Sequence, residues 1–353
     1  MKWKVPANPI HAMKGRKARI LIRWKQRPQI VVSSSLPPVA PTVTNPFEEF
    51  GFGWDHERLS LYEDPSTVKY IHDDDGELLL NDADVDLRTT VFTDSQGNIV
   101  VFTDSEGNQV YFPEVYYQER LNSCTGNALA FCYQFDMLKQ KISFGTNKSS
   151  VPSRLFIYYY ERAIRNSFNI DTGALLSEGT QVFSINGVCS ESDWTYDVTK
   201  FNVVPSTEAI NNAYAHKETL ETHNFIDFKA LHNTSDNIKN TLKQGFPVVF
   251  GFRVYSSFST IHNPPSNDNN IYTMPIPAES ETIKGGHAAV FVGFKEQEKV
   301  FIVRNSWGSI WGDKGYFYMP YDIVDSTKNV VINGQNVTVG KYVTDIWSMM
   351  KVS

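Results

Sequence analysis

Four stretches of the chain place apolar side chains at the spacing of one helix face. The clearest covers residues 124–139, whose apolar positions are Ala128, Phe131, Cys132, Phe135 and Leu138. Residues 153–167, 174–186 and 235–244 have similar patterns, and Gly245 follows the last of them as a stop signal. Side chains three and four residues apart share one face of an α-helix, so the pattern predicts four helices.

A second pattern begins in the C-terminal half, where short apolar and β-branched runs replace the helical spacing. These runs are Pro247–Val254, His287–Phe294, Val300–Asn305 and Tyr316–Met319. Runs of this composition predict β-strands. Helices followed by strands predict an α+β fold of two packed lobes with a cleft between them.

The chain before Pro113 differs from this pattern in charge and in composition. Residues 1–27 hold nine Lys or Arg and no Asp or Glu. Because the whole chain has a net charge of −6, the remaining residues carry a net charge of −15. A Pro-rich linker over residues 33–46 follows. We expect three parts: a basic, Pro-rich extension over 1–50, an N-terminal segment over 51–112, and a main domain over 113–353.

The basic arm has three open interpretations: a solvated tail, an arm that docks on the acidic body, or an anchor for nucleic acid or an anionic membrane. Elsewhere the net negative charge disfavours a general nucleic-acid binder. The oligomeric state cannot be read from the sequence.

Residues 91–100 and 101–110 are near-identical copies, VFTDSQGNIV and VFTDSEGNQV. Each copy joins a β-prone run to a Gly-Asn turn signal, which predicts a short hairpin. Their Asp and Asn oxygens could suggest calcium, but a turn explains them better. Two copies are too few for a solenoid.

Composition narrows the class of protein. The 353 residues are 41% hydrophobic and 20% charged, enough for a packed core. No run reaches the ~18 apolar residues of a membrane-spanning helix. Three cysteines suit free thiols in a reducing space, and no clear signal peptide is present. We expect an intracellular protein, cytoplasmic or vesicular. No Cys or His pair has metal-ligand spacing, so we expect no metal or other cofactor.

Candidate chemistry is centred on Cys124, which stands at the predicted start of a helix. A helix N-terminus stabilises a thiolate. Cys132 and Cys189 are better explained as small buried hydrophobes. His287 follows two glycines and opens an apolar strand, and Asn305 lies eighteen residues further on. A thiol, an imidazole and a polar side chain that orients the imidazole form a nucleophile–base–orienter set.

Several local motifs resemble the papain family of cysteine peptidases. They are Asn305-Ser306-Trp307-Gly308, Trp311-Gly312, Gly315-Tyr316, and Gln118 six residues before Cys124. Within the family, the sequence most resembles the prokaryotic and viral-type branch. The motifs that carry this resemblance are Ser123-Cys124-Thr125-Gly126-Asn127-Ala128, Gly187-Val188-Cys189-Ser190-Glu191 and Trp194-Thr195-Tyr196. In that branch, Gly53-Trp54-Asp55 and Val85-Asp86-Leu87-Arg88 resemble the mature N-terminal segment.

The resemblance implies a fold, a reaction and a set of site residues. The fold is papain-like and α+β, with a helical N-terminal lobe, an antiparallel β-barrel-like C-terminal lobe, and the active site in the cleft. The reaction is hydrolysis of peptide or protein substrates. The implied catalytic residues are Cys124, His287, Asn305 and Gln118, the last in the oxyanion hole. Gly173, Gly286 and Trp307 are implied substrate-binding residues.

Two further expectations come with the resemblance. Pro247–Gly251 and Ala288 would line the pocket for the second residue before the cut. Papain-like enzymes are commonly made as zymogens, so some part of residues 1–50 is expected to cover the cleft or the acidic surface and to inhibit the enzyme.

The sequence also departs from the family pattern. Thr125 replaces a bulky aromatic residue, Leu121 replaces a cysteine and Glu119 replaces a glycine, while residues 255–284 look like an insertion. Two alternatives therefore remain. One is a non-catalytic papain-like protein that binds or supports other molecules. The other is a different thiol enzyme, such as an acyltransferase, a transglutaminase-like enzyme or an amidase, although the Asn-Ser-Trp-Gly context disfavours it.

Overall fold

The structure is a computed structural model. It describes residues 51–55, 84–90, 102–103, 109–110, 112–139, 142–145, 148–222, 227–261, 272–332 and 335–350. The basic arm, the Pro-rich linker and the first decapeptide copy lie outside these residues. The expectation that residues 1–50 cover the cleft, and the division at 50 and 112, therefore stay predictions.

Most of the helices precede the long strands of the C-terminal half, as the sequence predicts. The helices are α1 (Cys124–Lys139), α2 (Arg154–Ile164), α3 (Leu176–Ile185), α4 (Thr207–Thr222), α5 (Ser235–Lys243) and α6 (Tyr321–Asp325). Helix α2 begins where the side chain of Ser153 accepts a hydrogen bond from the backbone N–H of Phe156, which satisfies one free donor of the first turn. The four predicted helices are confirmed, whereas α4 and α6 were not predicted.

The strands follow the order of the predicted runs, with additions at both ends. They are β1 (Val85–Asp86), β2 (Phe102–Thr103), β3 (Gln109–Val110), β4 (Asp227–Ala230), β5 (Val248–Tyr255), β6 (Ile283–Lys295), β7 (Val300–Arg304), β8 (Tyr316–Pro320), β9 (Thr327–Ile332), β10 (Gln335–Gly340) and β11 (Val343–Met350). Strand β6 starts four residues before the predicted run. Strands β2 and β3 pair as a hairpin in the second decapeptide copy.

The largest sheet of the β-rich part is antiparallel, and β9 and β10 pair separately as a two-stranded sheet. The strand order of the largest sheet is β4-β11-β5-β6-β7-β8, and β1 pairs with β6 beside this path. The path does not close on itself among the described strands, so the expected barrel-like lobe is an open sheet. The expected mixed α+β architecture is confirmed.

Helix α1 is the element that joins the helical part to the sheet. Its residues from Cys124 to Met137 are all buried, and the same hydrophobic core includes side chains of α1, β5 and β6. A helix that is buried on all sides lies in the interior rather than on the surface. The N-terminal end of α1 is therefore held firmly against the sheet.

Within the part of the chain that the structure describes, no helix is both long enough and apolar enough to cross a bilayer.

Candidate active site

Cys124 is the first residue of α1 and is fully buried. Its Sγ accepts a hydrogen bond from the backbone N–H of Ala288 on β6, at 3.3 Å. This contact joins the start of the helix to the strand that carries His287. The predicted thiol and the predicted imidazole are therefore brought together by two different elements.

The imidazole of His287 is oriented by Asn305, which directly follows β7. The distance from His287 Nε2 to Asn305 Oδ1 is 2.7 Å, and both side chains are buried. Because Asn305 takes Nε2, only Nδ1 is left for the thiol, and Nδ1 has no hydrogen-bond partner. This is the arrangement that an orienting residue requires: one ring nitrogen fixed and the other available.

Trp307 covers the bond between His287 and Asn305. Its ring centroid lies 4.7 Å from that of His287, and its own exposure is 3%. A large apolar ring at this place keeps water from the His287–Asn305 hydrogen bond, which strengthens it.

Gln118 is held in place from the far side by Ser306. Ser306 Oγ donates to Gln118 Oε1 at 2.5 Å, so the amide N–H₂ group faces the cleft. That Nε2 donates to the carbonyl oxygens of Gly51 at 2.8 Å and Leu121 at 2.9 Å. A side-chain amide that binds a peptide carbonyl in this position can act as an oxyanion-hole donor.

Residues Gly51–Asp55, which we call the cleft segment, lie across this site. The backbone N–H groups of Gly53 and Trp54 donate to the Gly286 carbonyl at 3.0 and 3.1 Å. On the opposite side, Ala174 N donates to Gly53 O at 2.7 Å, and Asp55 N donates to Ala174 O at 3.0 Å. The cleft segment is therefore bonded to both walls.

The side chains of the cleft segment add to this contact. The ring of Phe52 stands edge-on to His287, with centroids 6.0 Å apart, and packs against Trp307 at 5.7 Å. Trp54 is 2% exposed and donates its indole N–H to Asp345 Oδ2 at 3.0 Å. The motif Gly53-Trp54-Asp55, assigned from sequence to a mature N-terminal segment, thus lies inside the cleft.

Close packing explains why the cleft segment contains two glycines. A Cβ atom on Gly53 would come within 2.0 Å of the Asn122 carbonyl oxygen, and Gly53 has φ +129°. A Cβ on Gly51 would meet Leu121 O at 2.2 Å. At both positions only glycine fits the space, and at Gly53 only glycine also adopts the backbone conformation without strain.

Gly173 and Gly286 have different roles from each other. Gly286 O pairs with the cleft segment as a substrate-binding residue would. Gly173, by contrast, donates its N–H to the Tyr158 hydroxyl and offers its carbonyl to Arg165. The extended pairing expected at Gly173 is made instead by Ala174, and a Cβ at Gly173 would be 1.8 Å from Gly53 O.

The pKa values of Cys124 and His287 are both shifted away from those that a thiolate–imidazolium ion pair requires. Burial raises the pKa of the Cys124 thiol to about 12 against the opposing effect of its backbone hydrogen bonds. Burial also lowers the pKa of His287 to about 4, although Asn305 favours the charged ring. Thiol and imidazole are both neutral at pH 7 in this state, because desolvation outweighs the helix terminus.

Known proteins resemble this chain in sequence and in fold. A model of the papain family cysteine proteases matches residues 170–338. Xylellain, a cysteine protease from Xylella fastidiosa, aligns with a TM-score of 0.62 and 28% identity, covering 88% of this chain and 100% of that one. The chain is thus similar to papain family cysteine proteases.

Two protein sequences support the same assignment. An uncharacterised peptidase C1-like protein of Acanthamoeba polyphaga mimivirus is 43% identical over 210 residues, which is 59% of this chain and 64% of that protein. Thiol protease aleurain of Arabidopsis thaliana is 31% identical over 86 residues, 24% of this chain and 22% of its own. The papain-like chain thus matches less than two thirds of the length of either relative.

Several site residues of this papain-like chain were not found from its sequence. Asp345 lies 40 residues after Asn305, in a strand that was not predicted. Ser306 was read only as part of a motif. Ala174 was missed although its neighbour was named. The sequence does point to Trp54, because Gly51 and Gly53 alternate with large aromatic side chains that end at Trp54.

Proposed function

We propose that this chain is a cysteine peptidase in which Cys124, His287 and Asn305 form a catalytic triad. The observation that carries the proposal is the convergence of these groups: Asn305 Oδ1 holds His287 Nε2 at 2.7 Å, and Cys124 Sγ lies beside the residue that follows His287. A buried polar set of this kind costs folding free energy, since His287 Nδ1 and Asn305 Nδ2 lack partners, and a catalytic role accounts for that cost.

In the proposed reaction, the Cys124 thiol loses its proton to His287 Nδ1, and the sulfur forms a bond to the substrate carbonyl carbon. The C–N bond then breaks, and His287 returns the proton to the leaving amine. Water hydrolyses the thioester and restores the thiol. The developing oxyanion would be bound by Gln118 Nε2 and the Cys124 backbone N–H. Loss of one such donor typically costs about 2.7–4 kcal/mol.

Autoinhibition by the cleft segment is the second part of the proposal. Its Gly51 carbonyl already occupies Gln118 Nε2, and its Phe52 ring packs against His287. A peptide substrate would need the same donors and the same space. Displacement of the segment would return water to the site, which lowers the thiol pKa, raises the imidazole pKa and allows the ion pair to form.

The second candidate function is a non-catalytic papain-like binding or structural protein. The observation that favours it is the filled cleft. In that case the cleft segment would be a permanent part of the core rather than a removable cover.

The two candidates can be separated by covalent labelling of full-length variants. Gly53→Ala should expel the cleft segment, since the added Cβ would meet Asn122 O at 2.0 Å. Gly145→Ala is the matched control: it has φ +119° and nothing within 4 Å, so it adds the same backbone strain without a clash. We expect Gly53→Ala to react with an epoxysuccinyl peptide at Cys124 at least about tenfold faster than wild type, a shift of about 1.4 kcal/mol.

Mass spectrometry should place that adduct on Cys124, and Gly145→Ala should label like wild type. No adduct on Cys124 in either wild type or Gly53→Ala, with circular dichroism unchanged, would favour the non-catalytic protein. Equal labelling of wild type and Gly53→Ala would keep the peptidase and remove the autoinhibition.

A further inference from the structure

Residues 118–123, which we call the oxyanion loop, are contacted at both ends by one hydroxyl group. The Tyr196 hydroxyl donates to the backbone carbonyl of Gln118 at 2.8 Å, and the same oxygen lies 2.6 Å from Ser123 Oγ. Gln118 carries one of the two proposed oxyanion donors. Ser123 directly precedes Cys124, whose backbone N–H is the other. The Tyr196 hydroxyl therefore joins the two parts of the chain that supply these donors.

The hydrogen bonds at Tyr196 have a defined direction. A backbone carbonyl only accepts, so the single hydroxyl proton of Tyr196 goes to Gln118 O. Ser123 Oγ must then donate to the Tyr196 oxygen, and Ser123 Oγ accepts in turn from Asn127 Nδ2 at 3.0 Å. The result is a chain of three hydrogen bonds that starts at Asn127 and ends at Gln118. Hydrogen bonds in such a chain polarise and strengthen one another.

Asn127, at the start of this chain, also sets the direction of the Cys124 N–H group. The backbone N–H and the Nδ2 of Asn127 both donate to the Ser123 carbonyl, at 3.0 and 2.9 Å. The carbonyl of Ser123 and the N–H of Cys124 belong to one planar trans peptide, so they point in opposite directions. Because the carbonyl points into helix α1, the N–H points out of the N-terminus of the helix.

Gln118 is held from two opposite sides. On the first side, Gln118 N donates to Ser306 O at 2.8 Å, and Ser306 Oγ donates to Gln118 Oε1 at 2.5 Å. On the second side, the Gln118 carbonyl accepts from Tyr196. Gln118 and Ser123 are fully buried, so loss of the Tyr196 hydroxyl would take a partner from two buried polar groups at once. Such a loss is costly, and the loop would shift to avoid it.

The Tyr196 ring is fixed by Arg154. The guanidinium carbon of Arg154 lies 4.1 Å from the ring centroid, and the guanidinium donates to both carboxylate oxygens of Glu191, at 2.9 and 2.6 Å. Arg154 also donates to Asn127 Oδ1 at 3.2 Å, so one side chain orients both Tyr196 and Asn127. Burial raises the pKa of Tyr196, and the hydroxyl therefore keeps the proton that it donates at neutral pH.

We propose that Tyr196 is a positioning residue of the oxyanion hole: its hydroxyl holds Gln118 and the peptide that carries the Cys124 N–H in one geometry, so that both donors meet the same oxyanion. This inference rests on the proposed function. All three cysteines of the chain are free, so no disulfide supports the oxyanion loop. A shift of about 1 Å in a catalytic group can cost about 10²-fold in rate.

The first test is peptide hydrolysis in the open Gly53→Ala background. Tyr196→Phe removes one oxygen and keeps the ring against Arg154. Tyr116→Phe is the matched control, because the Tyr116 ring also faces Arg154, at 4.8 Å, while its hydroxyl binds Gln134. With a peptide-aminomethylcoumarin substrate, Tyr196→Phe should lower kcat at least about tenfold and change KM less than about twofold, because the two donors no longer converge. Tyr116→Phe should change neither value more than about twofold.

Alkylation of Cys124 by iodoacetamide separates positioning of the oxyanion donors from a general structural effect. The sulfur forms a bond to the CH₂ carbon and iodide leaves, so no oxyanion develops on the reagent. In the same background, Tyr196→Phe should therefore change the alkylation rate less than about twofold. An unchanged kcat would overturn the proposal. A parallel fall of kcat and alkylation would overturn it too, because the hydroxyl would then support the thiol or the fold.

The second test is amide hydrogen exchange in the full chain without Gly53→Ala, which requires no turnover. Tyr196→Phe should speed exchange in the peptic fragment that covers residues 118–124 at least about tenfold, because local opening of the loop becomes easier. Tyr116→Phe should leave that fragment unchanged. Equal protection in Tyr196→Phe and wild type would overturn the proposal. Faster exchange, together with a Gly53→Ala chain that hydrolyses no peptide, would keep Tyr196 as the support of the loop and reject the proposed function instead.

Discussion

The cleft around Cys124 and the packed interior around Cys189 and His216 contain the same kinds of groups. Each region has a free, buried thiol whose pKa burial raises to about 12. Each also has a histidine whose pKa burial lowers to about 4. Protonation states alone therefore do not distinguish a candidate active site from a core.

The difference between the two regions is what covers them. His216 lies against the rings of Phe144, at 4.3 Å, and Tyr133, at 6.1 Å, so its burial belongs to the core. His287 is covered in part by the cleft segment. Backbone hydrogen bonds hold this glycine-containing segment in place. His287 also has an orienting partner, Asn305, whereas His216 Nε2 has none. Cover by a separate chain segment and an oriented ring are the features that indicate chemistry.

The largest expected effect separates the two thiols. In the open Gly53→Ala background, Cys124→Ala should lower the rate of peptide hydrolysis by at least about 10⁴-fold, because the nucleophile is lost. Cys189→Ala, an equally small change at an equally buried thiol, should change that rate less than about threefold and cost about 1 kcal/mol of stability. Hydrolysis of a peptide-aminomethylcoumarin measures both. Similar losses from the two substitutions would mean that Cys124 acts only through packing.

The next effect concerns two buried glutamines. Gln118→Ala, again in the Gly53→Ala background, should lower kcat by about 10²–10³-fold, since an oxyanion donor is removed. Gln134 is the matched control: it is 4% exposed and binds the Tyr116 hydroxyl and Ser150 away from the thiol. Gln134→Ala should reduce stability with little change in kcat. A kcat of Gln118→Ala within threefold of the background would remove Gln118 from the oxyanion hole.

The same comparison shows how far the sequence predicts the molecule. Periodicity finds α1 and β6, and these two elements carry Cys124 and His287, because a fully buried helix and a buried strand have strong apolar patterns. Asn305 follows from the motif around it. The cleft segment does not follow, since its pairing with Ala174 and Gly286 joins residues more than 100 positions apart. The position of the Asp345 side chain depends on the register shift in β11 between Thr344 and Trp347. No local sequence pattern indicates that shift.

The structure shows how the chain accommodates two of its departures from the family pattern, at Glu119 and Thr125. Glu119 replaces a glycine and adopts φ 55°, so the backbone keeps the glycine-type conformation at some cost in strain. Thr125 replaces an aromatic residue and donates its hydroxyl to the buried Glu161 at 2.7 Å. These two changes alter the surroundings of Cys124 without removing any group of the proposed triad.

A third prediction concerns Glu161, which is buried in the core and not under the cleft segment, and the pH dependence of stability that its burial causes. Burial raises the pKa of Glu161 to about 8 from an ordinary value of 4.5. The folded chain therefore holds this proton more tightly than the unfolded chain, so stability falls as pH rises from 4.5 to 8 and stays low above that. Glu161→Gln keeps the shape and removes the titration. Its free energy of unfolding relative to wild type should rise by about 4 kcal/mol between pH 5 and pH 9.

Urea unfolding at the two pH values measures this difference. The two buried histidines affect both proteins equally and cancel. The Gly53→Ala substitution should not change the result, because Glu161 is covered by the core and not by the cleft segment. A difference that is the same at pH 5 and pH 9 would show that Glu161 keeps an ordinary pKa.

The smallest effect concerns the charged end of the cleft segment. Asp55 Oδ2 lies 3.5 Å from Arg165 Nη1, with both side chains under 20% exposed, and Arg165 also faces Glu178. Partly exposed pairs are worth about 0.2–1 kcal/mol, so Asp55→Asn should speed epoxide labelling of Cys124 about 1.4- to 5-fold. Added salt screens such a pair. The gain should therefore shrink in 1 M NaCl, where wild type and variant approach each other.

Glu298→Gln is the control for this last prediction, because it removes an exposed pair with Lys295 on the far part of the sheet and should leave labelling unchanged. If Asp55→Asn also leaves labelling unchanged, the cleft segment is held by its backbone bonds and by Trp54 alone. Opening the cleft would then depend on withdrawing the Trp54 indole ring from its pocket and breaking its hydrogen bond to Asp345 Oδ2.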